Sequence, residues 1–212
     1  AAAAEARIGG DLYEVLDTPF VVRVLVGDVR GKGLEAVETA AVALGAFREA
    51  AFDHAKMTSV AERIETSLGR HLGMEDFVTA VLAEFPLGGG VRVAAYGHDA
   101  PLLARDGAIA PLGPCGEPEL PLGLHGFGPE ADFSPFEPKL LPFGPGDQLL
   151  FFTDGAGEAR DLRGRFFPVA AHFARHHRRT PPERVLEGLH DDLLRHVGGR
   201  LHDDTALLLV ST

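Results

Sequence analysis

Strand-forming runs in this chain come in pairs joined by turns, and that pairing constrains the fold more than any other feature. A strand-like run over 7–16, broken by Gly9-Gly10, meets the turn Asp17-Thr18-Pro19 and then a strongly β-branched run over 20–29. Two such runs across a short turn predict a hairpin. Runs over 76–85 and 91–96 repeat the arrangement around Gly88-Gly89-Gly90, and 101–109 predicts a hairpin turning at Asp106-Gly107. Later strands are expected over 148–153 and 205–210, with an edge strand over 133–141 because Pro135 and Pro138 interrupt it. This is hairpin logic, not strand-helix alternation, so it predicts antiparallel sheets with helices grouped on their faces.

Helices fill the gaps. Residues 34–52 are rich in Ala and Leu and predict one. Ser59 is placed to cap a second over 60 to about 71, with Glu62 at its third position. Residues 183–196 carry Val185, Leu186, Leu189, Leu193 and Leu194 on one side, an amphipathic pattern. The basic stretch over 172–179, with His176-His177, reads as a solvated helix end, because zinc sites need spaced ligands. Residues 113–129, rich in Gly and Pro, read as a loop.

Composition narrows the function classes. A length of 212 residues suits one domain. The net charge of −11 disfavours a nucleic-acid binder, which needs a basic patch. Cys115 is the only cysteine, which excludes an internal disulfide, and its loop offers none of the activating neighbours a catalytic thiol needs. There is no apolar run of about 20 residues to span a membrane, and no secretory signal. The opening Ala1 to Ala4 followed at once by a strand suggests that the natural chain extends upstream.

Four segments place aspartate at a strand end or glycine turn: Gly9-Gly10-Asp11, Gly27-Asp28-Val29-Arg30-Gly31-Lys32-Gly33, Thr153-Asp154-Gly155 and His202-Asp203-Asp204-Thr205. Any one alone is ordinary turn chemistry. Together they raise a different question, because carboxylates about 4 Å apart repel by roughly 4 kcal/mol at an effective dielectric near 20. Converging acids therefore call for cations among them, and hard oxygen donors suit Mg²⁺ or Mn²⁺. The glycine spacing of residues 27–33 fits neither the dinucleotide-binding nor the Walker A pattern.

With these segments stand Phe77-Val78-Thr79-Ala80, Tyr96-Gly97-His98, Pro101-Leu102-Leu103, Leu122-Gly123-Leu124, Gly146-Asp147-Gln148 and Glu158-Ala159-Arg160. In this order and spacing, from residue 8 to residue 210, the chain resembles the metal-dependent protein serine/threonine phosphatases of the type 2C (PPM) superfamily. More specifically, it resembles the bacterial branch typified by the stage II sporulation protein E phosphatase. The resemblance implies an α+β fold, an αββα sandwich of two antiparallel sheets flanked by helices. It implies one phosphatase domain over 1–212, the C-terminal catalytic part of a longer signalling protein. It implies two Mn²⁺ or Mg²⁺ ions, with Asp28 bridging them and the Val29 carbonyl as a further ligand. Asp11 belongs to one metal, Asp154 and Asp203 to the other, with Asp204 adjacent.

The implied reaction is hydrolysis of phosphoserine or phosphothreonine by a water activated between the cations, without a phosphoenzyme. The implied partner is a STAS-domain anti-sigma factor antagonist, in bacterial, cytoplasmic signalling, with no nucleic acid and no membrane contact by this domain. Arg30, Lys32 and His98 are candidate substrate-binding residues. The helices over 34–52 and 60–71 are candidates for transmitting regulation. Where the family often has aspartate, this chain has Glu14. The alternative is a pseudophosphatase or partner-binding module without turnover; the complete set of aspartates argues against it.

Overall fold

The computed structural model describes residues 9–73, 76–113, 119–125, 133–177, 181–201 and 203–212. The expectations placed on residues 7 and 8, Cys115, Arg178, Arg179 and His202 lie outside the described residues.

The first sheet has the order β1 (Asp11–Asp17), β2 (Val22–Val29), β3 (Val78–Phe85) and β4 (Arg92–Tyr96). The second has the order β6 (Ala108–Pro111), β5 (Leu102–Arg105), β7 (Gln148–Phe152) and β8 (Leu207–Ser211). Every ladder is antiparallel, as the hairpin pattern predicts. The turn at Asp106 and Gly107 has φ of 50° and 85°, the left-handed geometry of a tight two-residue hairpin.

Side-chain alternation along the strands builds three cores. Leu25 and Val29 of β2 and Val78, Ala80 and Leu82 of β3 face α1 (Leu34–Asp53) and α2 (Met57–Leu68). Val24, Val26, Val81 and Val93 face the second sheet, meeting Leu149 and Phe151 of β7. The other face of the second sheet, Leu150 and Phe152, packs on α4 (Val169–His176) and α5 (Glu183–His196). The result is an αββα sandwich. The short α3 (Asp154–Gly157) continues directly from β7.

One buried cation ties the first layer together. Arg23 is 2% exposed. Its guanidinium donates to Glu84 Oε1 at 2.9 Å and to the carbonyls of Ala51, His54 and Ala55 at 2.6, 2.7 and 3.0 Å. Those carbonyls end α1 and lead into α2, so Arg23 satisfies acceptors that the helix end leaves open.

Three expectations are corrected. Ser59 does not cap α2, which begins two residues earlier at Met57 with no side-chain cap. Met57 is 3% exposed and extends the apolar stripe of Val60, Ala61, Ile64 and Leu68, and that burial outweighs the local capping signal. Residues 133–141 form no strand; their sheet contact is an isolated bridge from Leu141 to Val91. Pro135 and Pro138 have no amide hydrogen to offer a ladder.

The third correction concerns the described part of the basic stretch: α4 does end there with Arg175 exposed, but His172 and His176 are turned from solvent. His172 Nδ1 and His176 Nε2 both meet Asp192 Oδ2, at 2.6 and 2.8 Å, and His176 is 5% exposed. Burial pushes the Asp192 carboxyl up. The hydrogen bonds from the two histidines, with the charges of His176 and Arg195, outweigh this and hold it at about 2. Gly188 of α5 makes room: a Cβ there would stand 2.5 Å from His176 Nδ1.

Candidate metal centre

The acidic cleft opens where one end of each sheet meets the other. In the β1–β2 ladder Asp11 pairs with Asp28, so these side chains leave the same face of the sheet side by side. Asp154 arrives from the second sheet, as the first residue of α3 beyond β7. One carboxylate oxygen from each of Asp11, Asp28 and Asp154 lies within 4.8 Å of the others.

Close backbone approach makes this convergence possible. A Cβ on Gly10 would stand 2.6 Å from the Val29 carbonyl and 2.9 Å from Asp28 Oδ1. A Cβ on Gly155 would stand 1.6 Å from the Asp204 carbonyl, and one on Gly9 would overlap the Asp204 carboxylate. The glycines beside the aspartates are thus spatial requirements of the site rather than turn punctuation.

Thr153 joins the two sheets. It is fully buried, and its Oγ1 donates to Asp11 Oδ2 at 2.7 Å while accepting from the Ala206 amide at 2.9 Å. Although it stands at the N-cap of α3, its hydroxyl makes no cap bond. It is spent across the sandwich, fixing Asp11. Residue type at that position suggests a cap, so the sequence hid this role.

The electrostatics are those of acids crowded together. Burial is the largest cause raising Asp28 to about 7, followed by repulsion from Asp154, Asp11 and Asp203. Burial also leads in raising Asp11 to about 6; the Thr153 hydrogen bond opposes it, and Asp154 and Asp204 add to it. Half-buried carboxylates pushed this far are groups whose mutual repulsion a bound cation would relieve. The all-oxygen donor set fits a hard divalent ion such as Mg²⁺ or Mn²⁺.

The cleft has a volume of about 300 Å³ and is lined by Gly10, Asp11, Asp28, Arg30, Gly31, Lys32, Phe77, Thr79, Asp154, Asp203 and Asp204. Asp203 and Asp204 thus line the cleft but stand outside the close trio. Val29 is buried beneath it, its amide bonded to the Gly10 carbonyl at 3.2 Å. Arg30 lies over the Phe77 ring, 5.5 Å from its centroid, and Lys32 Nζ meets Asp203 Oδ1 at 2.5 Å.

His98 is not brought into the cleft lining. Its Nδ1 meets the Asp99 carbonyl at 3.0 Å, and its Nε2 is buried without a partner. Glu14 faces α1, where it pairs with Arg48. Phe77 and Thr79 line the cleft although the sequence marked them only as part of a motif; the Thr79 hydroxyl donates to the Asp28 carbonyl at 3.3 Å. A larger groove of about 700 Å³ at the opposite end of β7, lined by Asp106, Gln148, His177 and Thr212 among others, has no such carboxylate cluster among the described residues.

A family model described as stage II sporulation protein E matches residues 19–212. Comparison with curated protein sequences gives no significant match. Among solved structures, the chain is similar to the SiaA-PP2C domain of Pseudomonas aeruginosa. That match has 19% identity and a TM-score of 0.78, covering 97% of this chain and 80% of that one. It is similar to the RsbU and RsbW domains of a Mycobacterium tuberculosis protein at 24% identity and a TM-score of 0.79, covering 99% of this chain and 58% of that one. It is also similar to the PP2C phosphatase domain, with a fragment of the regulatory domain, of SpoIIE from Bacillus subtilis. There the identity is 15% and the TM-score 0.77, covering 98% of this chain and 61% of that one. The chain therefore spans less than two thirds of the last two. At these identities the likeness establishes the fold: the αββα sandwich of PP2C domains.

Proposed function

The chain belongs to the stage II sporulation protein E family, and from that premise we propose that it is a metal-dependent protein serine/threonine phosphatase. Its substrate in this reading is a phosphoserine or phosphothreonine on a signalling protein, a STAS-domain anti-sigma factor antagonist. The observation that carries the reading is the carboxylate trio of Asp11, Asp28 and Asp154, drawn from both sheets to within 4.8 Å. The RsbU and RsbW domains named in one similar structure support a place in protein-based signalling.

Asp11, Asp28 and Asp154 would hold the cations, with Asp203, Asp204 and the Val29 carbonyl completing the donor set. Bound divalent cations supply charge against the phosphate oxygens and acidify water at neutral pH. Thr153 holds Asp11 in place through its hydroxyl. Arg30 and Lys32 stand at the cleft as cations for the incoming phosphate, which carries up to two negative charges. His98 does not line the cleft, so its contribution is confined to the loop around Asp99.

The test is hydrolysis of p-nitrophenyl phosphate and of a phosphoserine peptide with Mn²⁺, with Mg²⁺ and with EDTA, alongside nucleotides. The expected result is metal-dependent turnover of the phosphomonoesters, lost in EDTA. Asp28→Asn should lower it by roughly 10²–10³-fold or more while leaving the circular dichroism spectrum unchanged. Retained activity in that variant would sink the assignment, and preferential turnover of nucleotides would replace it with another hydrolase. Folded protein inert with both metals would favour a binding module.

A further inference from the structure

We propose that Lys32 is an internal counter-cation of the metal centre, competing with a divalent cation for the carboxylate of Asp203. This rests on the reading of the cleft as a metal site. Lys32 stands four residues beyond Asp28, in the loop between β2 and α1, and Asp203 stands before β8, 171 residues further along. The pair therefore crosses the mouth of the cleft from the first-sheet side to the second. The Lys32 ammonium meets Asp203 Oδ1 at 2.5 Å, and the same oxygen accepts the Asp204 amide at 3.1 Å. The carboxylate is thus already oriented and neutralised by the chain itself.

This sets Asp203 apart from the other acids. Asp11, Asp28 and Asp154 form a mutually close trio among the described residues, whereas Asp203 stands outside it on the lysine. A divalent ion and an ammonium on one carboxylate would sit a few ångströms apart and repel. The two modes of holding Asp203 are therefore alternatives. Gly31 and Gly33 flank Lys32 with φ of 107° and 90°, backbone that glycine adopts without strain, and a Cβ at either would meet nothing within 4 Å. Both partners are about half exposed, with side-chain exposures of 47% and 49%, so the bond is easily exchanged.

Binding at the centre is then stepwise. The trio would hold a first cation with the Lys32–Asp203 pair intact, and Asp203 would serve a second only after giving up Lys32. Displacement would let the Lys32 ammonium turn from Asp203 toward a substrate phosphate at the mouth of the cleft, so occupancy of the second site would also prepare phosphate capture.

The experiment is a Mn²⁺ titration of the wild type, Lys32→Met and Lys32→Arg, followed by calorimetry and by the free-Mn²⁺ electron paramagnetic resonance signal. The wild type should show a tight and a weak class of site. Lys32→Met should tighten the weak class roughly fivefold, the equilibrium equivalent of an exposed ion pair of about 1 kcal/mol, and leave the tight class unmoved. Lys32→Arg, which keeps the charge, should stay near the wild type. An unchanged or weakened second class in Lys32→Met overturns the proposal, and so does an equal shift of both classes, which would report only a general charge effect. If Mn²⁺ binds and supports turnover yet Lys32→Met shifts nothing, the phosphatase reading survives this failure. If no Mn²⁺ binds to any of the proteins, both fall.

Discussion

Asp28 concentrates the electrostatic cost of the cleft. Raised to about 7, with Asp11 at about 6, it holds a proton in the folded chain over a range where the unfolded chain has released it. More protons bound in the folded state means stability that falls as pH rises. Metal-free protein is therefore expected to lose thermal stability between about pH 5 and about pH 8, and Asp28→Asn should flatten that slope. Melting curves in EDTA across the range check this; a slope that rises, or one unchanged in the variant, would count against the crowding of acids. The aspartates themselves were legible because glycine-flanked acids at strand ends are unusual in number. Their crowding was not, since it depends on a β1–β2 register that pairs Asp11 with Asp28. Thr153 was hidden for a related reason: its hydroxyl reaches a residue 142 positions away.

At the scale of elements, α2 does more than cover the first sheet. Glu65, 5% exposed, accepts the amides of Gly123 at 2.6 Å and His125 at 3.0 Å, so one carboxylate of the helix holds the segment beside the start of β3. Leu122 of that segment bridges Val78 at the head of β3, next to the cleft residues Phe77 and Thr79. Glu65→Ala would leave the buried amide of Gly123 and the partly buried amide of His125 without this acceptor, at a cost of about 1–3 kcal/mol. Denaturant unfolding should show that loss, with hydrogen exchange rising first at residues 122–125; stability within about 0.3 kcal/mol of wild type would contradict the contact's importance. Strand pairing and α5 were legible here, the latter residue for residue at Glu183–His196. Other features were not. The start of α2 was set by Met57 reaching the core, and α4 presents His172 and His176 to an acid on the next helix. Neither burial nor a helix–helix partner is written in a local window.

The whole molecule brings its acids together from different layers: Asp11 and Asp28 come with the first sheet, while Asp154, Asp203 and Asp204 come with the second. Cations that bind only the folded arrangement stabilise it by mass action. At about 100 times the dissociation constant this amounts to about 2.7 kcal/mol, or roughly 5–10 °C in Tm for a domain near this size. Melts in Mn²⁺ against EDTA should show the rise in the wild type and little of it in Asp28→Asn. An equal rise in both would place the binding elsewhere.

The Thr153–Asp11 hydrogen bond, crossing from one sheet to the other over an apolar interface, gives the sandwich a seam whose alignment has a gauge. Packed valines and leucines tolerate small sliding, but ligand distances do not. Shear of the sheets by one residue repeat, about 3.4 Å, would carry Asp154 out of reach of Asp28 while every carboxylate stayed intact. Metal affinity would in this sense be a readout of sheet alignment, and any force that slides one layer on the other would be converted into a change in ion occupancy.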